Sequence, residues 1–106
     1  MSFKSISVTD AMQSIENGAL IIDVREQNEY DLAHIENSVL VPLSTVSAEK
    51  INEVNPQNKT ILIHCHSGKR SKAAANIILT QGYTGEILEL DEGIKAWTEF
   101  GQKIIS

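Results

Sequence analysis

"ILIHCHSGKRSKAAANIILTQGY", residues 61–83, decides the fold. The turn chemistry of Asn55-Pro56-Gln57-Asn58 precedes it, and residues 60–64 form a short apolar run that reads as a buried strand. Beyond Gly68, Ala73-Ala74, Ile77-Ile78 and Gln81 recur at helical spacing until Gly82, with Ser71 of the type that caps a helix N-terminus. The only cysteine of the chain, Cys65, stands where the strand stops and before the helix starts.

The same alternation runs outward in both directions. Upstream, Thr9 or Asp10 caps a helix over residues 11–16, with Met12 and Ile15 on one face and Gly18 at the stop. Residues 20–22 read as a buried strand, residues 23–32 as a polar turn or short helix, and residues 38–41 as a second apolar run closed by Pro42. Residues 48–54 form a weak helix. Downstream, residues 87–90 are a fourth strand, and Ile94, Trp97 and Phe100 mark one face of a last helix before Gly101. Short apolar strands separated by helices imply a parallel α/β sheet covered on both faces through right-handed crossovers.

The 106 residues are the length of one compact domain, and we expect a single domain over 1–106. Hydrophobic residues make up 42% and charged residues 22%, with two prolines and six glycines, which excludes a low-complexity or disordered chain. A formal charge of -5 argues against nonspecific attraction to nucleic acid or anionic membrane, so any anion site must be local. One cysteine makes no internal disulfide, and no apolar run approaches a signal peptide or membrane span. The expectation is a cytoplasmic protein.

In parallel sheets functional groups collect at the carboxyl ends of strands, which is where Cys65 falls. His66-Ser67-Gly68-Lys69-Arg70 is small or basic and runs into a helix start, so backbone N–H groups converge on one point and favour negative charge. In such settings a thiol falls from about 8.5 to between about 3.5 and 7.5, making Cys65 a nucleophile near neutral pH, provided that solvent reaches it. Gly68 suits a loop that needs positive φ. The bland alternative is a small buried cysteine beside an ordinary turn glycine.

These residues carry a resemblance. Cys65 to Arg70, followed by the helix from Ser71, resembles the active-site loop of single-domain rhodaneses, the thiosulfate sulfurtransferase family. "LIIDVREQNEYDLAHI", residues 20–35, is similar to the family's first signature and "LDEGIKAW", residues 90–97, to its closing one. Three ordered motifs are far more specific than one. The resemblance implies a rhodanese-like fold with a central parallel sheet of about five short strands. It also implies a persulfide cycle in which Cys65 takes a sulfane sulfur from a small anionic donor such as thiosulfate. The sulfur then passes to cyanide or to a thiol acceptor, thioredoxin or a sulfur-accepting protein, with no metal or cofactor. His66, Ser67, Gly68, Lys69, Arg70 and Ser71 would bind the anion, chiefly through their amides, with Arg70 the leading cationic candidate. Asp23 and Arg25 would brace the loop, unless they are only a surface ion pair. His34 matches a position expected to bond backbone, and His64 and His66 are too few to hold a metal with one thiol. Asn37 and Ser38 replace the usual Gly-Ala, Glu92 replaces a glycine, and Lys103 stands where a proline is frequent.

Two other readings stay open. Cysteine phosphatases and arsenate reductases also use a thiolate in a loop ending at arginine. They place five residues between the two, whereas only four, His66 to Lys69, intervene here. A noncatalytic protein-binding module or a sulfur carrier for a thiolation or molybdopterin pathway is the other.

Overall fold

The computed structural model describes residues 2–106 and shows an α/β fold: one five-stranded, wholly parallel sheet in the order β1-β5-β4-β2-β3. The strands are β1 Lys4–Ile6, β2 Leu20–Asp23, β3 Val39–Leu40, β4 Ile61–His64 and β5 Ile87–Leu90. The helices are α1 Val8–Glu16, α2 Gln27–Leu32, α3 Ala48–Val54, α4 Lys69–Thr80 and α5 Gly93–Glu99, with one 3-10 turn at Leu43–Thr45.

β4 lies at the centre, and its residues are all buried. Side chains alternate across a strand, so Ile61, Ile63 and then Cys65 join Ile22, Ile51, Ala74, Ala75 and Ile78 in one core layer beneath α3 and α4. Leu62 joins Ile21, Ala11, Leu90, Ile94 and Trp97 in the second layer, under α1 and α5. Each fully buried Ile or Leu contributes about 1.5–3 kcal/mol of apolar transfer, so this doubly covered strand is the best anchored part of the molecule. It ends, at His64, in register with the end of β2 at Asp23. That pairing delivers the loop after β4 and the loop after β2 to the same edge.

Several local expectations need correcting. Ser7, not Thr9 or Asp10, caps α1 by accepting from the Asp10 N–H at 3.2 Å, and the helix begins at the buried Val8. α4 starts at Lys69 with Gly68 as its cap, so Ser71 lies inside the first turn with its side chain free for another task. Phe100 follows α5 and is 56% exposed, whereas Ile94 and Trp97 are buried. β1 is the strand that hydropathy missed: two of its three residues are exposed, and it rests on β5 alone at the sheet edge.

Two replacements of family glycines fit their backbone. Asn37 adopts φ 70, a left-handed conformation that asparagine tolerates better than most residues. Glu92, at φ -108, occupies a conformation open to any residue. The next position does need glycine. A Cβ on Gly93, at φ 64, would collide with the His66 carbonyl, because α5 begins pressed against the cysteine loop.

Candidate active site

Cys65 leaves β4 with its carbonyl already bound: the Ile94 N–H donates to it at 2.9 Å, and the Lys95 N–H donates to the His66 carbonyl at 3.0 Å. The first turn of α5 thus takes the loop's carbonyls and leaves its amides for the sulfur. The chain then reverses through Gly68, at φ 105, where a Cβ would strike the Asp91 carbonyl. Only glycine fits that close approach. The reversal turns the Gly68 N–H onto Cys65 Sγ at 3.1 Å, and the Ser71 hydroxyl lies 3.5 Å from the sulfur.

Burial pushes the Cys65 thiol up, but the Ser71 hydroxyl and the N–H groups of Ser71, Gly68 and Ser67 outweigh it, leaving the thiol below its ordinary value. Of the amides expected to form a cradle, that of Gly68 makes the hydrogen bond to the sulfur, and those of Ser67 and Ser71 add to the lowering. The accessibility expected of Cys65 is narrower: the residue is 1% exposed, although His66 and Ser67, which follow it, are exposed.

Lys69 is exposed and makes no side-chain hydrogen bond among the described residues. Arg70 is half-buried and engaged in a bidentate pair with Glu29 of α2, at 2.7 and 2.9 Å. The hydrogen bonds from Arg70 hold the Glu29 carboxyl at about 2. Glu29 was invisible to sequence reasoning, because its partner lies 41 residues away.

Asp23 and Arg25 form a buried pair, not a surface one: Arg25 Nη2 to Asp23 Oδ2 is 2.8 Å with side-chain exposures of 7% and 0%. Arg25 also donates to the Ala33 carbonyl at 2.7 Å, so the pair ties the end of β2 to the end of α2. Its link to the cysteine loop runs through His64. His64 Nδ1 bonds the Cys65 carbonyl at 3.0 Å, and Nε2 lies 3.6 Å from Asp23 Oδ2. Burial drives His64 below its usual range against the pull of Asp23, which favours the neutral ring. His34 bonds the Tyr30 carbonyl at 2.8 Å and stacks on the Tyr30 ring, the backbone-bonding role expected of it. No cluster of three or more potential metal ligands occurs among the described residues.

A thiol at the carboxyl end of the central parallel strand, facing loop amides at a helix start, defines the class: an α/β protein with a cysteine loop at the carboxyl edge of its sheet. Residues 7–100 match the Rhodanese-like domain family, and the chain belongs to it. It is 42% identical over 78 residues to "Putative sulfur carrier protein YrkF" of Bacillus subtilis, covering 74% of this chain and 40% of that relative's length. It is 30% identical over 98 residues to thiosulfate sulfurtransferase GlpE of Coxiella burnetii, covering 92% of this chain and 89% of the relative. A rhodanese-related protein from Thermoplasma volcanium superposes with a TM-score of 0.81 at 28% identity, over 97% of this chain and 98% of that one. The family is thus one of sulfurtransferases and sulfur carriers. Among the described residues no helix is long and apolar enough to cross a membrane.

Proposed function

We propose that this chain transfers a sulfane sulfur through a persulfide on Cys65, from a small anionic donor such as thiosulfate to cyanide or a thiol. The observation that carries the reading is the 3.1 Å bond from the Gly68 N–H to Sγ, with the Ser71 hydroxyl beside it. In the first step the thiolate attacks the outer sulfur of thiosulfate, the donor's S–S bond breaks, and sulfite leaves with the electron pair. In the second, the acceptor attacks the terminal sulfur and Cys65 leaves as thiolate. Both steps place negative charge where the loop amides converge, and such preorganised donors lower the barrier without reorganising.

Asp23 and Arg25 hold the frame around the loop and do no chemistry. Arg70, closed on Glu29, meets the donor only by leaving that carboxylate, so the amides are the principal anion site. With Cys65 1% exposed and its loop backbone held by α5, only side-chain movement can admit a donor, which favours small ones. The likeness to a protein described as a sulfur carrier supports a second reading, in which the same persulfide serves one dedicated partner.

Intact mass after exposure to thiosulfate tests the intermediate. One added sulfur, removable by reductant and missing in Cys65→Ser, is expected; no adduct on the wild-type chain refutes the reading. Turnover with cyanide, run beside an aryl phosphate assay, separates sulfur transfer from phosphatase chemistry.

A further inference from the structure

The sulfur reading leaves one buried carboxylate unused. Glu89, on β5, is 0% exposed and sits on the same side of the sheet as Cys65 and α4. Its Oε1 accepts from Ser5 Oγ at 2.6 Å, and its Oε2 accepts from Ser71 Oγ at 2.5 Å. Lys72 Nζ lies 3.3 Å from Oε1 and 3.4 Å from Oε2. A carboxylate in an apolar layer costs several kcal/mol unless paired and hydrogen-bonded, and Ser5, Ser71 and Lys72 supply those partners.

What distinguishes the arrangement is the proton count at Ser71. A serine hydroxyl has one proton, and three acceptors surround it: Glu89 Oε2 at 2.5 Å, the Gly68 carbonyl at 3.1 Å and Cys65 Sγ at 3.5 Å. Bonds to an ionised acceptor are roughly twice as strong as neutral ones, so the carboxylate takes the proton. Ser71 then turns a lone pair toward the sulfur, where it accepts S–H, and it can donate to a thiolate only by giving up its bond to Glu89.

We propose that Glu89 is a positioning residue for Cys65, acting through Ser71: by claiming the serine's only proton it keeps the sulfur basic, suited to capture and retention more than to rapid release. Its consequence for sulfur transfer rests on the persulfide reading above; its geometry does not. When Cys65 ionises, the S–H proton goes to solvent and the Ser71 proton swings from Glu89 to the sulfur, while Glu89 keeps Ser5 and Lys72. When a persulfide discharges, the S–S bond breaks and its electron pair stays on Cys65. A thiol leaves faster, and attacks more weakly, the lower its pKa. Glu89 therefore slows release and strengthens attack. The other charged and titratable groups around the pair are Lys72 and Asp91 beside Glu89, Arg70 with Glu29 near the sulfur, His64 with Asp23 and Arg25 behind the loop, and His66 at its rim.

The test reads thiol ionisation directly, by the pH dependence of iodoacetamide alkylation of Cys65 in the whole chain, and needs no sulfur donor. Glu89→Gln removes the charge and offers an amide N–H to Ser71 Oγ, releasing the serine proton to the sulfur. The alkylation midpoint is expected to fall by about one unit, roughly tenfold more thiolate at a given pH below it. Cyanide should discharge a loaded chain several-fold faster. An unchanged or higher midpoint overturns the proposal. Ser5→Ala, at an exposed position, removes one donor from Glu89 and tightens its hold on Ser71, so the midpoint should rise; should Glu89→Gln not fold, a static midpoint in Ser5→Ala overturns the proposal alone. In a Ser71→Ala background the Glu89→Gln shift should largely vanish, and a shift retained in full would overturn the route through Ser71. Shifted midpoints in a chain that never acquires sulfur would refute the persulfide reading and leave this one standing.

Discussion

Gly68 carries more of the site than any other single residue except Cys65. Its positive φ aims the N–H at the sulfur, and its missing Cβ lets the loop lie against the Asp91 carbonyl. Gly68→Ala must relieve both the collision and the left-handed strain, at about 1–3 kcal/mol, and in doing so tilts away the sulfur's nearest donor. The rate of sulfur-adduct formation, followed by intact mass, should fall about 100-fold, in line with loss of one preorganised donor. Urea unfolding should show the folded state kept but weakened. Equal loss of rate and fold would assign the glycine a purely structural role. Cys65 and Gly68 were legible in the sequence because they lie three residues apart and act on each other. Ser71 was legible as part of the amide cradle, but not as a side chain: Gly68, not Ser71, caps the helix, which frees the serine hydroxyl for the sulfur and Glu89.

At the scale of elements, the Glu29–Arg70 pair joins α2 to α4 across the front of the site. The Glu29 carboxyl titrates at about 2 in the fold against an ordinary 4.5. A depressed carboxylate contributes stability that is fully present above its unfolded value and is lost as pH falls through the folded one. The window is therefore about pH 4.5 down to about 2. Both side chains are about a third exposed, so solvent screening limits the contribution to about 1 kcal/mol. The difference in urea midpoint between wild type and Glu29→Gln should be constant at neutral pH and close toward pH 2; a difference that persists there would assign the effect to packing. Pairs of this kind, like Ser71 with Glu89, join residues 41 and 18 positions apart, and hydropathy periodicity holds no record of them. Helices α3, α4 and α5 were legible because their apolar spacing and stop residues are local; β1 was not, since a three-residue edge strand has too few side chains to show a period.

For the whole molecule, the two core layers meet at β4, the strand that delivers Cys65 to the sheet's edge. Ile63 is fully buried two residues before Cys65. Ile63→Ala should cost about 2–5 kcal/mol in urea unfolding while leaving the thiol's alkylation profile in place, because the loop is held separately by α5 and by Gly68. A shifted profile at small stability loss would mean that the strand and the loop are not independent supports. The parallel topology was readable from the strand and helix alternation; the strand order, which sets Asp23 beside His64 and Glu89 on the sulfur's side, was not.

The two amides that α5 lends to the cysteine loop have a consequence for motion. Because Ile94 and Lys95 grip the Cys65 and His66 carbonyls, and Gly93 leaves no slack at that junction, the loop cannot hinge outward like a flap without unwinding the start of a helix. Visitors must come to the sulfur; the sulfur does not go out to them. Empty and charged forms of the protein should then be near superimposable. A recipient of sulfur, on the reading proposed above, would tell them apart by the chemistry at Cys65, and not by any change of silhouette.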